Sequence, residues 1–193
     1  LTVSSNTEFT NPFVMPSFQN RYGTGTGGVM STSGAMSWGA PLSAANNYNY
    51  SPKDDYFQTG IVGTESISLS TGTEKNQTYA SAAAVNSKGI VPNNKYNRYN
   101  FTVRNTTTFL DDKMTLDFGA SYILQNDQNM TNQGTYNNPL VGAYLFPRSN
   151  DWSDISMYER YDAARKIYTQ YWPVGDEGMV MQNPYWINYR NLR

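Results

Sequence analysis

The chain has 193 residues, of which 15% are charged and 15% aromatic, with 16 tyrosines and a net charge of −1. The near-neutral balance argues against a nucleic-acid binder, which carries a basic excess on one face, and the aromatic content argues against general disorder. With neither cysteine nor histidine in the sequence, a disulfide framework, a thiolate metal site, and the commonest general base and transition-metal ligand are excluded.

Residues 1–9 alternate weakly and read as a strand. Residues 10–63 are rich in Gly, Ser, Asn and Pro, and are too long for an ordinary connection within a compact domain. Thr64 to Thr71 alternates apolar and polar side chains with period two, which predicts a strand over 64–72. A short turn follows, then a small-residue-rich strand over 77–86 and a medium loop over 87–95. The clearest strand is 96–110. Tyr99, Phe101, Val103 and Phe109 fall on one face, and Arg98, Asn100, Thr102, Arg104, Thr106 and Thr108 on the other. Asp111-Asp112-Lys113 reads as a tight turn. In the strand over 114–126, Met114, Leu116, Phe118, Ala120, Tyr122 and Leu124 share a face, and Ile123 alone breaks the polar one. Residues 127–186 form a second long loop. Within it Ser153 or Asp154 is expected to cap a helix reaching about Tyr171, with Ile155, Tyr158, Tyr161, Ala164 and Tyr168 as its apolar stripe. Asn183-Pro184-Tyr185-Trp186 reads as a turn entering another strand.

No apolar run approaches the roughly 20 residues of a membrane-spanning helix. Barrel strands hide their apolar band in alternation instead, and the expected strands match the ~9–11 residues of a tilted transmembrane strand. Long loop, short turn, medium loop, short turn, long loop is also the connection order of an outer-membrane barrel. A soluble β-sandwich reproduces the alternation but less naturally this order. The expected class is therefore all-β: a section of a large antiparallel transmembrane β-barrel with long extracellular loops and one short helix. The chain opens at Leu1 without an initiator Met or signal peptide, and reads as part of a larger polypeptide lacking the plug and the remaining barrel.

Several segments resemble the SusC/RagA-like TonB-dependent outer-membrane transporters. They are Pro16 to Asn20 with Tyr22-Gly23-Thr24-Gly25, Ser37-Trp38-Gly39, Tyr56 to Gly60 followed by Ser66 to Ser70, and Gly72 to Lys75 with Thr78-Tyr79. Further on come Lys88 to Asn93 followed by Tyr96 to Asn100, Asn138-Pro139-Leu140, Tyr144 to Arg148, and Asn183 to Trp186. The resemblance spreads over nearly the whole chain. It implies a plugged barrel of roughly 22 strands in the bacterial outer membrane, importing oligosaccharides or peptides. The implied partners are a SusD-like surface lipoprotein as lid, outer-membrane lipid, and the TonB complex acting through parts outside this chain.

Other motifs carry weaker chemistry. Gly23-Thr24-Gly25-Thr26-Gly27-Gly28 matches a dinucleotide-binding fingerprint but lacks the buried strand before it and the helix after it. Asp54-Asp55 and Asp111-Asp112 are paired carboxylates, yet adjacent residues in a strand diverge and turns favour Asp. Asp127, Asp151 and Asp154 have no calcium-loop spacing. No enzyme activity, cofactor or metal is expected. The candidate contacts with a ligand or lid partner are the loop aromatics Trp38, Tyr48, Tyr50, Trp152, Trp172, Tyr185 and Trp186, with packing of the loops on themselves as the competing expectation. Arg98 and Arg104 are candidate lumen-facing residues. The alternative function is a secreted or surface β-rich module that binds glycans or acts as an adhesin, in which the apolar faces pack against a second sheet.

Overall fold

The computed structural model describes residues 1–31, 36–174 and 180–190. In chain order its strands are β1 (Thr2–Thr10), β2 (Gly25–Thr26), β3 (Val29–Met30), β4 (Gly60–Gly72), β5 (Asn76–Lys88), β6 (Lys95–Phe109), β7 (Met114–Gln128), β8 (Glu159–Asp162) and β9 (Ile167–Gln170). Two short helices, α1 (Pro139–Leu145) and α2 (Pro184–Tyr189), complete the regular structure with a π-helical turn at Pro52–Tyr56 and a 3₁₀ turn at Trp152–Ser156. The protein is mostly antiparallel β-sheet, and it divides into two compact units.

The first unit is a five-stranded antiparallel meander in the order β1-β4-β5-β6-β7. Its ladders run without a break, from Asn76 opposite Thr107 to Lys88 opposite Lys95, and from Lys95 opposite Gln128 to Phe109 opposite Met114. Directly opposed residues share a face. Val3, Ile67, Ala82, Phe101 and Tyr122 therefore form one row across all five strands. Period-two alternation puts Tyr99, Val103, Leu116, Phe118 and Leu124 on that same face. The opposite face carries Ser68, Ser81, Thr102 and Ser121 in the matching row. β4 begins at Gly60, before the alternation starts, because Thr10 pairs there with backbone groups that need no side-chain pattern. Among the described residues the sheet is open, with β1 and β7 at its edges.

Two tight turns join strands at one end of this sheet. In the first, a Cβ on Gly72 would lie 2.1 Å from the Asn76 carbonyl oxygen, which demands glycine there. In the second, Leu110, Asp111 and Asp112 all have positive φ. Aspartate tolerates this region and leucine does so at a cost. Lys75 meets Asp112 at 3.3 Å and ties the two turns together.

The second unit comprises the described parts of residues 11–58, 90–94 and 129–193. Its core is aromatic: Tyr50, Tyr56, Phe146, Trp152 and Trp172 with Ile155, Val174 and Met181. Tyr50 stacks on Trp152 at 4.3 Å, and Phe146 meets Trp152 edge-on at 5.0 Å. Gly27 and Gly28, both with positive φ, make the two-residue turn of the β2–β3 hairpin, the conformation that admits glycine most readily. The glycine-rich motif is thus a hairpin.

The expected helix from Ser153 or Asp154 to Tyr171 does not form. Asp151 caps Ser153 N at 2.8 Å and starts only the 3₁₀ turn. The chain then turns into the β8–β9 hairpin, where Asp162 Oδ1 accepts from the amides of Ala164 and Arg165, each at 3.0 Å. An aspartate that captures nearby amides competes with the helix, and Ile167-Tyr168-Thr169 favours a strand. Tyr161 and Tyr168 of the expected stripe face each other across the hairpin at 5.3 Å. In place of that one short helix there are two among the described residues, each begun by Asn-Pro. Asn138 caps Leu140 N at 3.0 Å, and Asn183 caps Tyr185 N at 2.9 Å, with proline in the first turn. Asn183-Pro184-Tyr185-Trp186 therefore opens α2 rather than turning into a strand. An asparagine cap followed by a proline already at helical φ explains both starts.

Candidate functional site

The apolar face of the sheet is open. Phe101 is 51% exposed and Phe118 61% exposed. Val3, Ile67, Leu69, Val103, Leu116, Tyr122 and Leu124 are exposed beside them. On β7 the apolar run extends from Met114 to Leu124. Toward the strand ends that carry the long connections, the face changes character in steps. Asn86, Asn97 and Asn126 form a row across β5, β6 and β7, and the next row holds Lys88 opposite Lys95. Phe9 and Ile61 occupy the Lys row on β1 and β4.

The polar face carries Arg98 and Arg104, three alternations apart on β6. Arg104 grips Asp117 of β7 through both ends of its guanidinium, with Nε donating to Oδ1 at 2.9 Å and Nη2 to Oδ2. Arg98 Nε donates to Asn100 Oδ1 at 3.1 Å. Thr102 and Ser121 hydroxyls lie 3.1 Å apart between them. A groove of about 740 Å³ at the short-turn end is lined by Ser70, Gln77, Tyr79, Arg104 and Thr106. Arg104 is thus neutralised by its neighbour strand, and what this face offers is mainly hydroxyl and amide hydrogen bonding.

The loop aromatics separate into three groups. Tyr50, Trp152 and Trp172 are buried in the core of the loop unit, where each packs against Phe146. Burial pushes the Tyr50 and Tyr56 phenols well above the ordinary tyrosine value. Tyr185 and Trp186 are half-buried on α2. Tyr185 Oη accepts from Trp152 Nε1 at 3.1 Å, and burial raises its pKa also. Trp38 and Tyr48 are exposed, at 69% and 55%, and keep a free aromatic face. The paired carboxylates Asp54 and Asp55 both bond to Ser51, through its hydroxyl and its amide, each at 2.7 Å.

Two buried asparagines organise the loop unit and carry no obvious signal of it in the sequence. Asn183 Nδ2 donates to the carbonyls of Ile155 and Tyr171, each at 2.9 Å, while its Oδ1 caps α2. Asn188 Nδ2 donates to Tyr56 Oη at 2.9 Å, and its carbonyl accepts from Asn93 and Asn129. Arg148, also unanticipated as a site residue, lies against both the Phe18 and the Tyr50 rings. Its neighbours come from more than 90 residues away, so no local spacing announces it. The chain matches no family model and no curated protein.

Proposed function

We propose that the five-stranded sheet is a section of the wall of a bacterial outer-membrane β-barrel of the SusC/RagA-like, TonB-dependent kind. In that role the protein takes part in importing a bulky polar nutrient, an oligosaccharide or a peptide. A SusD-like surface lipoprotein is the partner on the loop side, and energy coupling comes from the TonB complex through other parts of the polypeptide.

The observation that carries this reading is the open apolar face. A soluble sheet with Phe101, Phe118 and Tyr122 on one side covers them, whereas here they are more than half exposed. From Met114 to Leu124 the apolar run on β7 spans about 33 Å at ~3.3 Å per residue. On a strand tilted about 40° this is a band about 25 Å high, the height of the lipid-facing belt of an outer-membrane barrel. Above it the Asn row and then the Lys88–Lys95 pair follow the order of an interface, with hydrogen-bonding groups first and charge beyond. The strands β4–β7 are each 13 or 15 residues long, ample for a tilted crossing. The open edges of β1 and β7 require further strands, since unpaired backbone groups are costly in lipid.

The chain has no cysteine, so single labels report unambiguously. In vesicles containing brominated lipid, a fluorophore at Phe101→Cys or Phe118→Cys is expected to be quenched, and one at Thr102→Cys or Ser121→Cys to be spared. Equal quenching on the two faces, or a chain that stays monodisperse in water without detergent, overturns the membrane reading in favour of a surface binding module.

A further inference from the structure

Arg148 holds a charge where an unpaired charge is expensive. The residue is 5% exposed. Its guanidinium carbon lies 4.8 Å from the Phe18 ring centre and 5.0 Å from that of Tyr50, two contacts that supply cation–π attraction without satisfying the N–H groups. Among the described residues the one hydrogen bond of the side chain runs from Nη1 to the Phe146 carbonyl at 3.5 Å, beyond the usual length. The ion pairs among the described residues are Lys75–Asp112, Arg104–Asp117 and Arg190–Glu159, and none involves Arg148. A guanidinium has five N–H donors, and buried charges are ordinarily paired. Desolvation pulls the Arg148 pKa below its usual value, opposed by Tyr50 and Asp55.

Arg148 lines a cavity of about 230 Å³ together with Phe18, Asn20, Tyr50, Ser51 and Lys53. Lys53 is exposed at the rim, and like Arg148 it has no acid within ion-pair distance among the described residues. Asp54 and Asp55 are occupied by Ser51. They also place two negative charges in the Pro52–Tyr56 turn, which favours a singly charged ligand over a dianion.

We propose that this pocket binds the carboxylate of a ligand, held by the Arg148 guanidinium fork, with Lys53 as the second cation and Asn20 as a neutral donor. A planar carboxylate matches the fork through two parallel N–H···O bonds. The Phe18 ring gives the rest of the ligand an apolar wall. Such a group is found on a uronic acid and on an acidic peptide side chain alike. The pocket lies wholly within the loop unit, and the proposal holds whether or not the sheet is a membrane wall.

The test is a titration of the full chain, in detergent, followed by tryptophan fluorescence, because Trp152 stacks on Tyr50 beside Arg148. The probes are glucuronate, the α-amide of N-acetylglutamate (which leaves only its side-chain carboxylate), inorganic phosphate and glucose. Glucuronate or the N-acetylglutamate α-amide is expected to give a saturable change, whichever is stronger naming the source of the carboxylate, while glucose gives none. Arg148→Met is expected to weaken the response by about tenfold or more, the loss of a charge-assisted contact. Lys53→Met lies on the surface, leaves the fold intact, and is expected to weaken it by a smaller factor. A glucose response equal to that of glucuronate overturns the proposal. So do silence from both carboxylates, phosphate binding tighter than either, or undiminished binding in Lys53→Met together with a folded Arg148→Met.

Discussion

On β6 and β7, Phe101, Phe118 and Tyr122 stand in the open on long, regular strands. In the loop unit, Tyr50, Trp152 and Trp172 are almost wholly buried, although little of the chain around them is helix or strand. The two units therefore hold their aromatic side chains by opposite means. In the sheet the backbone of β4, β5 and β6 is paired on both sides by continuous ladders, and the side chains are left to whatever surrounds them. In the loops the side chains make the core, and asparagine amides complete the hydrogen bonding that a ladder would supply. Asn183 alone satisfies two carbonyls and starts a helix. Order without repetition is specified by individual polar side chains, each buried only because its partners are present. Order by repetition leaves a surface, and that surface fixes the medium in which the sheet is stable.

The contrast breaks most sharply at Trp152. Replacing it by alanine removes the ring that Tyr50 stacks on and that Phe146, Tyr56 and Tyr185 touch. It also frees the acceptors of its indole N–H, the Asp55 carbonyl and Tyr185 Oη. The expected cost is about 3–5 kcal/mol, confined to the loop unit. Near-UV circular dichroism is expected to collapse while the far-UV strand signal persists, and loss of both together refutes the separation into two units. The sheet responds differently to a charge. Phe101→Arg is expected to cost about 2–4 kcal/mol in lipid, as for a cation at the bilayer midplane. Thr102→Arg, one residue on and facing the other way, is expected to cost much less. Denaturant titration in vesicles compares the two, and equal costs would mean that the faces do not see different media.

Much of the sheet was legible because repetition is visible to a local reading. The alternation of Tyr99, Phe101 and Val103 against Arg98, Asn100, Thr102 and Arg104 assigns faces without knowledge of any neighbour, and Ile123 stands out as the exception it is, exposed on the polar face. The loop unit gave up less. Ile155, Tyr158, Tyr161, Ala164 and Tyr168 fit a helical stripe, yet Asp162 and the left-handed Lys166 turn the chain back on itself within that span. Local spacing cannot weigh an aspartate-centred turn against a helix cap when both begin with the same residue types. Asn183-Pro184, expected as a turn into a strand, instead starts a helix, as Asn138-Pro139 does. Arg148 was not legible at all as a site residue. Its significance comes from Phe18, Tyr50 and Lys53, which only the fold brings to it. For the same reason the aromatic candidates divide: nothing near Trp152 or Trp38 in sequence tells which of them is core and which is surface.

The smallest effect concerns the two buried phenols, and it separates the units by pH. An ordinary tyrosine ionises near 10.0, while Tyr50 and Tyr56 are held protonated well above that by burial. A group whose folded pKa lies above its unfolded one leaves stability whole below the unfolded value and erodes it as pH rises beyond. The loop unit is therefore expected to lose up to ~1.4 kcal/mol per tyrosine for the first pH unit above 10. The ladders of the sheet depend on neither phenol. In an alkaline titration followed by absorbance at 295 nm, Tyr50 and Tyr56 are expected to ionise in a late wave that coincides with loss of the near-UV signal. A single wave that ends with the near-UV signal intact would show that Tyr50 and Tyr56 reach solvent without unfolding, and the loop core would then be open where the sheet alone is expected to be.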